Sequence, residues 1–203
     1  MIHHYEGRDA LVAARRAAHA LIPRPEPVKA LGQPPEEATA PKARLRVMVD
    51  TREQCPLRFD SQYVDVSRGT VPVFDYALVG DNGWAIERKS LEDFTQSVIL
   101  TDAWRRELAK IEKARATWAP GLPIVYLAEC TMDDLLRYDY SCFTSGRVTS
   151  QFAFRRWSEL LYAHNAHIVW AGSREGASYA VCVLLRRRFE ALKGTMKGKV
   201  THA

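Results

Sequence analysis

Residues that could bind a metal ion lie in two neighbouring segments of the 203-residue chain. Asp75 lies in the apolar run VPVFDYALV, and Glu87 and Lys89 lie in the run WAIERKS. Residues 80–83, with the sequence GDNG, separate the two runs, and a turn of this composition predicts a β-hairpin. Because alternate residues of a strand point to the same side, we expect Glu87 and Lys89 to face one way and Arg88 the other.

This combination of two carboxylates and a lysine indicates a particular chemistry. If Asp75 lies beside Glu87 in the hairpin, their oxygens form a hard site suited to Mg²⁺ or Mn²⁺. The ammonium of Lys89 could then hold or deprotonate an attacking water. The pattern is typical of metal-dependent phosphodiester hydrolysis, although the same residue types also occur as solvated ion pairs on exposed hairpins.

Three segments together resemble the nuclease domain of the XPF family of structure-specific endonucleases. They are VDTRE (residues 49–53), FDYAL (74–78) and AIERKSLED (85–93). The resemblance implies a restriction-endonuclease-like α/β fold, with a central mixed β-sheet flanked by helices on both faces. It also implies a Mg²⁺- or Mn²⁺-dependent endonuclease that cleaves branched or flapped DNA in repair or recombination.

The resemblance assigns roles to individual residues of this sequence. Asp75 and Glu87 would be metal ligands, and Asp50 and Glu53 would be accessory carboxylates beside the metal. Lys89 would polarise water or the scissile phosphate, and Arg88 would brace a carboxylate from behind. The complete catalytic set implied by the resemblance is Asp50, Glu53, Asp75, Glu87, Arg88 and Lys89.

The metal-binding aspartate can be placed in two registers. The family usually has Gly-Asp at this point, which matches either Phe74-Asp75 or the literal Gly80-Asp81. We choose Asp75, because it lies in a strand-like run that lets the hairpin return Glu87 alongside it. Asp81 lies in the predicted turn, where we expect a solvated carboxylate far from Lys89.

The charge of the chain points to a polyanionic partner. Lys and Arg number 29 against 24 Asp and Glu, a formal net charge of +5, and we expect the partner to be DNA. A homodimer through the nuclease domain is a second expected partner. Four basic residues of the helix after the hairpin are candidate DNA contacts, and they are Arg105, Arg106, Lys110 and Lys113.

Prolines indicate how the chain is organised. Residues 22–41 contain six of them, which excludes a helix or central strand and predicts a linker. We therefore divide the chain into an N-terminal helix with a proline-rich linker (1–43), the nuclease domain (44–193) and a basic flexible tail (194–203). No apolar run is long enough to span a membrane, and no secretory signal is recognisable. We expect a cytoplasmic, nucleoid-associated protein of phage or bacterial origin.

Strands and helices alternate along the predicted domain. We expect a buried strand ending at Asp50, the hairpin, and a helix that begins at Ser90. The later elements are predicted as a helix over 102–118, a strand in PIVYLAE, a helical turn at 132–136, a helix over 149–163, a strand in HIVWA and a helix over 174–192.

A second function also fits the family resemblance. The family contains non-catalytic DNA-binding or scaffolding subunits, which characteristically lose the acidic and lysine residues. This sequence keeps them, so the enzyme is the preferred hypothesis and the non-catalytic subunit the alternative.

Overall fold

The structure, a computed structural model, describes residues 43–143 and 148–200. Of the predicted N-terminal helix and proline-rich linker, residues 1–42 lie outside the described residues, and so do residues 201–203 of the predicted tail. None of the helices in the described part is long and apolar enough to cross a membrane.

Six strands form a single mixed sheet with the order β2-β1-β3-β4-β5-β6. Strand β3 runs antiparallel to its neighbours β1 and β4, and the other neighbouring pairs are parallel. The predicted mixed sheet is therefore confirmed. The strands are β1 (Leu45–Asp50), β2 (Val64–Gly69), β3 (Tyr76–Leu78), β4 (Ala85–Lys89), β5 (Ile124–Ala128) and β6 (Ala166–Trp170).

The described helices follow the predicted sequence of elements. They are α1 (Leu91–Ile99), α2 (Thr101–Thr117), α3 (Met132–Arg137), α4 (Ser150–His164) and α5 (Arg174–Val200), with a short 3₁₀ helix at Tyr140–Cys142. Ser90 begins α1 as predicted, since its hydroxyl accepts a hydrogen bond from the amide of Asp93 at 3.1 Å.

The structure extends the last helix into the predicted tail. We expected α5 to end at Leu192 and a flexible segment to follow, but the helix continues to Val200. Gly194 and Gly198 suggested the break, because each glycine costs about 1 kcal/mol relative to alanine inside a helix. Extending a helix that has already formed adds one hydrogen bond for each residue fixed, which offsets this cost.

Both faces of the sheet are covered. All five consecutive residues of β5 are buried, so side chains on both of its faces are excluded from water. Helix α5 packs on β1, β3 and β5, and α1 packs on β4. The predicted α/β architecture is confirmed. Strand β6 is only partly buried because it is the last strand on one side of the sheet.

The sheet brings the chemically relevant strand ends together. Strands β1 and β4 end on one side of the sheet, and the antiparallel strand β3 begins on the same side. The amide of Asp50 donates to the carbonyl of Asp75 at 2.8 Å, and the amide of Asp75 donates to the carbonyl of Ile86 at 3.0 Å. Residues at the ends of these three strands therefore meet on this side of the sheet.

Candidate active site

The hairpin of β3 and β4 has the register that places Asp75 next to Glu87. Tyr76 pairs with Ile86 at the end of the ladder, and Asp75 and Glu87 follow this pair on the two segments, close enough that the charge of Glu87 acts on Asp75. The amide of Arg88 donates to Asp75 Oδ2 at 2.8 Å. The predicted approach of the two carboxylates is therefore found in the fold.

Asp81 occupies a different environment. Its carboxylate accepts hydrogen bonds from Arg188 Nε at 2.7 Å and from the amide of Gly83 at 2.9 Å. The side chain is only 9% exposed, so the expectation that it is solvated was wrong. The turn and α5 together hold Asp81, and it lines neither of the cavities described next.

Two cavities open beside Asp75 and Glu87. The larger has a volume of about 410 Å³ and contains the side chains of Lys89, Asp93 and Glu107 in its lining. The smaller, of about 240 Å³, is lined by basic, acidic and apolar side chains. Asp75 and Glu87 line both, so a group bound to them would be reachable from either cavity.

Asp50 lies behind this site. Its Oδ1 accepts from the amide of Arg52 at 2.8 Å and from Arg52 Nε at 2.6 Å, and its Oδ2 accepts from the amide of Val71 at 2.7 Å. Asp50 is fully buried and lines neither cavity. Burial disfavours its charged form, but the hydrogen bonds from Arg52 and Val71 outweigh burial and keep its pKa below the usual value. The oxygens of Asp50 thus hold the chain after β1, and its expected place beside the metal stays a prediction.

Arg88 braces carboxylates, as predicted. Its Nε lies 3.0 Å from Glu53 Oε2, and its Nη1 lies 2.8 Å from Glu129 Oε1. Glu53 Oε1 also accepts from the amide of Cys55 at 2.8 Å. Glu53 borders the larger cavity, but its charge is already matched by Arg88. Arg88 and Glu53 thus stabilise the wall of the site.

Glu107 is a functional candidate that we did not identify from the sequence. It extends from α2, is 6% exposed, and its Oε1 lies 2.8 Å from Lys89 Nζ. Its Oε2 accepts from the hydroxyl of Tyr126 at 3.1 Å. The buried residues of α2 include Ala103, Trp104, Glu107, Ile111 and Ala114. A glutamate within this apolar helical spacing is the signal that could have revealed it.

Lys89 is held as an ammonium. Its Nζ lies 2.8 Å from Glu107 Oε1 and 3.1 Å from Glu87 Oε1. Burial alone would lower the pKa of Lys89, but the charges of Glu87 and Glu107 outweigh it and raise the pKa above its ordinary value. Of the two roles expected for Lys89, the geometry favours donation to a phosphate or water over proton abstraction.

Asp75 and Glu87 offer oxygens suited to a divalent cation. Burial, and then the charge of Glu87, raise the pKa of Asp75 to about 8. Within the described residues, Asp75 Oδ1 and Glu87 Oε2 accept no hydrogen bond. No group of three or more His, Cys, Asp and Glu side chains in the described part is arranged to hold a metal ion. Two carboxylates nevertheless fit Mg²⁺, which usually keeps several waters and takes further ligands from substrate phosphate.

Asp93 borders the larger cavity but has a local role. Its Oδ2 accepts from the hydroxyl of Ser90 at 2.7 Å, and its amide donates back to that hydroxyl. Reciprocal bonds of this kind stabilise the first turn of a helix. Asp93 therefore fixes α1 directly after β4, which positions the wall of the cavity.

The four basic candidates on α2 lie at different places around the two cavities. Arg105 pairs with Asp102 and lines neither cavity, whereas Arg106 lines the larger cavity. Lys110 and Lys113 line the smaller one. Lys110 also turns inward, with its Nζ 2.6 Å from Glu87 Oε1.

Comparison with known proteins gives the family. The chain is similar to the solved structure of XPF from Aeropyrum pernix, with a TM-score of 0.54 and 20% identity over 75% of this chain and 69% of that chain. For the structure of XPF from Aeropyrum pernix in complex with DNA, the TM-score is 0.54 and the identity 20%, over 73% of this chain and 66% of that chain. At this identity the likeness shows the fold.

No curated protein matches the chain. Residues 49–182, more than half of the sequence, match the ERCC4 domain, and this stretch contains Asp75, Glu87 and Lys89. The chain therefore belongs to the ERCC4 domain family, the XPF-type nucleases.

Proposed function

We propose that the protein is a divalent-metal-dependent endonuclease that hydrolyses phosphodiester bonds in DNA. The observation that carries this proposal is that Asp75, Glu87 and Lys89 border one cavity. Two carboxylates lie there beside a buried ammonium, and each has an oxygen that accepts no hydrogen bond from the described part of the chain. Family membership supports a role in DNA processing, and one similar structure is that of XPF from Aeropyrum pernix in complex with DNA.

The proposed ion is Mg²⁺ or Mn²⁺, held by Asp75 and Glu87. When bound, it would supply a Lewis acid that stabilises negative charge on the phosphate oxygens in the transition state. Lys89 donates hydrogen bonds to the same charged oxygens, and Glu107 and Glu87 hold its ammonium in place. Arg88 keeps Glu53 paired, so the charge of that carboxylate is balanced beside the phosphate.

Basic side chains near the cavities supply the expected contacts to DNA. Arg106 borders the larger cavity, and Arg52, Lys110 and Lys113 border the smaller. Contacts from these residues to phosphates are independent of sequence and weaken as salt concentration rises. We propose branched or flapped DNA as the substrate and repair or recombination as the setting, following the family resemblance.

The proposal includes a homodimer through the nuclease domain. Phe154 and Leu161 of α4 are 37% and 36% exposed and lie seven residues apart, on one face of the helix. A second copy of the chain would cover this apolar face. Light scattering of Phe154→Ser,Leu161→Ser protein tests it, and we expect the dimer to be lost while the monomer stays folded.

The test of the proposed function is cleavage of labelled DNA. Flaps, forks, junctions and linear duplex are incubated with the purified protein in Mg²⁺, in Mn²⁺ or in EDTA. We expect cleavage of a branched substrate in either metal and none in EDTA. Binding without cleavage under every condition would favour the alternative of a non-catalytic subunit, and equal cleavage in EDTA would contradict metal dependence.

A further inference from the structure

Lys110 forms an ion pair with one of the two carboxylates proposed to bind the metal. Its Nζ lies 2.6 Å from Glu87 Oε1 and 3.3 Å from Glu107 Oε1. The side chain of Lys110 is 40% exposed, whereas that of Lys89, which contacts the same oxygen of Glu87, is 8% exposed. Glu87 is thus shared between a buried ammonium and an accessible one.

A divalent ion would reverse the sign of the net charge at the site. Binding of a divalent ion requires an ionised Asp75, and three ionised carboxylates (Asp75, Glu87 and Glu107) around two ammoniums (Lys89 and Lys110) leave one unpaired negative charge. A divalent ion on Asp75 and Glu87 would convert this into one excess positive charge. The departure of one ammonium would restore balance.

We propose that a divalent cation bound by Asp75 and Glu87 displaces Lys110 from Glu87, so that Lys110 is a built-in competitor that sets the cation affinity of the site. This inference rests on the proposed function. Lys110 leaves in preference to Lys89 because its exposed ammonium regains water at little cost. Lys89 would remain paired with Glu107 at 2.8 Å.

The released ammonium stays close to the site. Lys110 lines the smaller cavity together with Arg52 and Lys113. In this cavity it is no longer bound to Glu87 and can donate to a phosphate of the substrate. The exchange therefore removes a competitor from the metal ligand and adds a cation to the surface that faces DNA.

The first arm of the test measures Mn²⁺ affinity without DNA, from the electron paramagnetic resonance signal of the free ion. Lys110→Met should bind Mn²⁺ about tenfold more tightly than the parent protein, a difference of about 1.4 kcal/mol. Lys113→Met is the matched control, since it removes a nearby charge that contacts neither Glu87 nor Glu107, and it should stay within about twofold. Unchanged or weaker affinity of Lys110→Met would overturn the competition.

The second arm follows the position of Lys110 directly. An amine-reactive reagent labels the parent protein with and without Mn²⁺, and the labelled lysines are quantified by peptide mass spectrometry. Lys110 should become several-fold more reactive when Mn²⁺ is present, while Lys89 stays protected and Lys113 keeps its rate. Mn²⁺ binding with no rise at Lys110 overturns the displacement and leaves the proposed function standing. If neither protein binds Mn²⁺, the metal-dependent function fails as well.

Discussion

The carboxylate of Glu107 lies 2.8 Å from the ammonium of Lys89, and both side chains are buried. Helix α2 supplies Glu107 and strand β4 supplies Lys89, so this ion pair fixes the helix against the carboxyl end of the strand. Tyr126 donates a hydrogen bond to the other oxygen of Glu107. The geometry holds Lys89 near Glu87 without making Glu87 its sole partner.

Replacement of Glu107 by glutamine should impair both catalysis and stability. The charge that holds Lys89 is lost, so the ammonium shifts onto Glu87 and competes with the metal. We expect kcat for DNA cleavage to fall about tenfold or more, and the free energy of unfolding to fall by about 2 kcal/mol, because a hydrogen-bonded charge is removed. Glu112→Gln, an exposed change on the same helix, is the control for both measurements. Full activity of Glu107→Gln would show that the charge of Glu107 is not needed for catalysis.

Phe74 has an unusual backbone conformation, which should make glycine less destabilising than alanine as a replacement at this position. Its φ is +73°, in the left-handed region, while its ring is buried against Trp118 and Tyr126 at centroid distances of 5.6 and 5.7 Å. Loss of such a ring costs about 3–5 kcal/mol, and a left-handed conformation costs a non-glycine residue about 1–2 kcal/mol. Phe74→Gly should therefore be more stable than Phe74→Ala in urea denaturation.

Phe94 provides the control for this comparison. It is equally buried but lies inside helix α1, where glycine costs about 1 kcal/mol relative to alanine. Phe94→Ala should be more stable than Phe94→Gly. The same order at both positions would contradict a left-handed conformation at Phe74.

Replacement of Asp50 by asparagine should affect folding much more than metal binding. The amide cannot accept all the hydrogen bonds that Arg52 and Val71 donate to the carboxylate, so we expect a loss of about 2–3 kcal/mol in the free energy of unfolding. Mn²⁺ affinity of the folded protein should change by less than about threefold, since Asp50 lines neither cavity. Asp65→Asn, which alters an exposed ion pair with Arg44, should cost about 0–1 kcal/mol. A large loss of Mn²⁺ affinity in Asp50→Asn would contradict this prediction and identify Asp50 as a metal ligand.

The hairpin and its neighbours could be predicted because their signals are local. Two apolar runs, the turn at residues 80–83 and the cap at Ser90 each specify structure within a few residues. Strand β2 was not predicted, since it lies at the edge of the sheet and only Val64 of its six residues is buried. Its polar residues conceal the strand signal.

The partners of the charged residues could not be predicted in the same way. The spacing of Lys110 and Lys113 placed them on one helical face, but it could not show that Lys110 turns to Glu87. Similarly, the motif identified Asp50 without showing that its oxygens bind Arg52 and Val71. These contacts depend on how segments distant in sequence pack together.

Replacement of Asp75 by asparagine should stabilise the metal-free protein. Burial and the charge of Glu87 disfavour the ionised form of Asp75 and raise its pKa, so a neutral amide of the same shape removes this cost. At pH 8 without metal, we expect a gain of about 1 kcal/mol or more, or roughly 2–4 °C in Tm. Mn²⁺ should raise the Tm of the parent protein and leave that of Asp75→Asn unchanged. A lower Tm for metal-free Asp75→Asn would show that neighbouring groups stabilise the ionised carboxylate of Asp75, contrary to this prediction.

The central claim is that Asp75, and not Asp81, supplies the metal site. The most direct test compares single-turnover cleavage of a labelled branched DNA in Mg²⁺ by Asp75→Asn, Asp81→Asn and the parent protein, each first shown to be folded. We predict no detectable cleavage by Asp75→Asn. Asp81→Asn should keep a rate within a few-fold of the parent, because its carboxylate binds Arg188 away from the cavities. Cleavage retained by Asp75→Asn and lost in Asp81→Asn would contradict the assigned site.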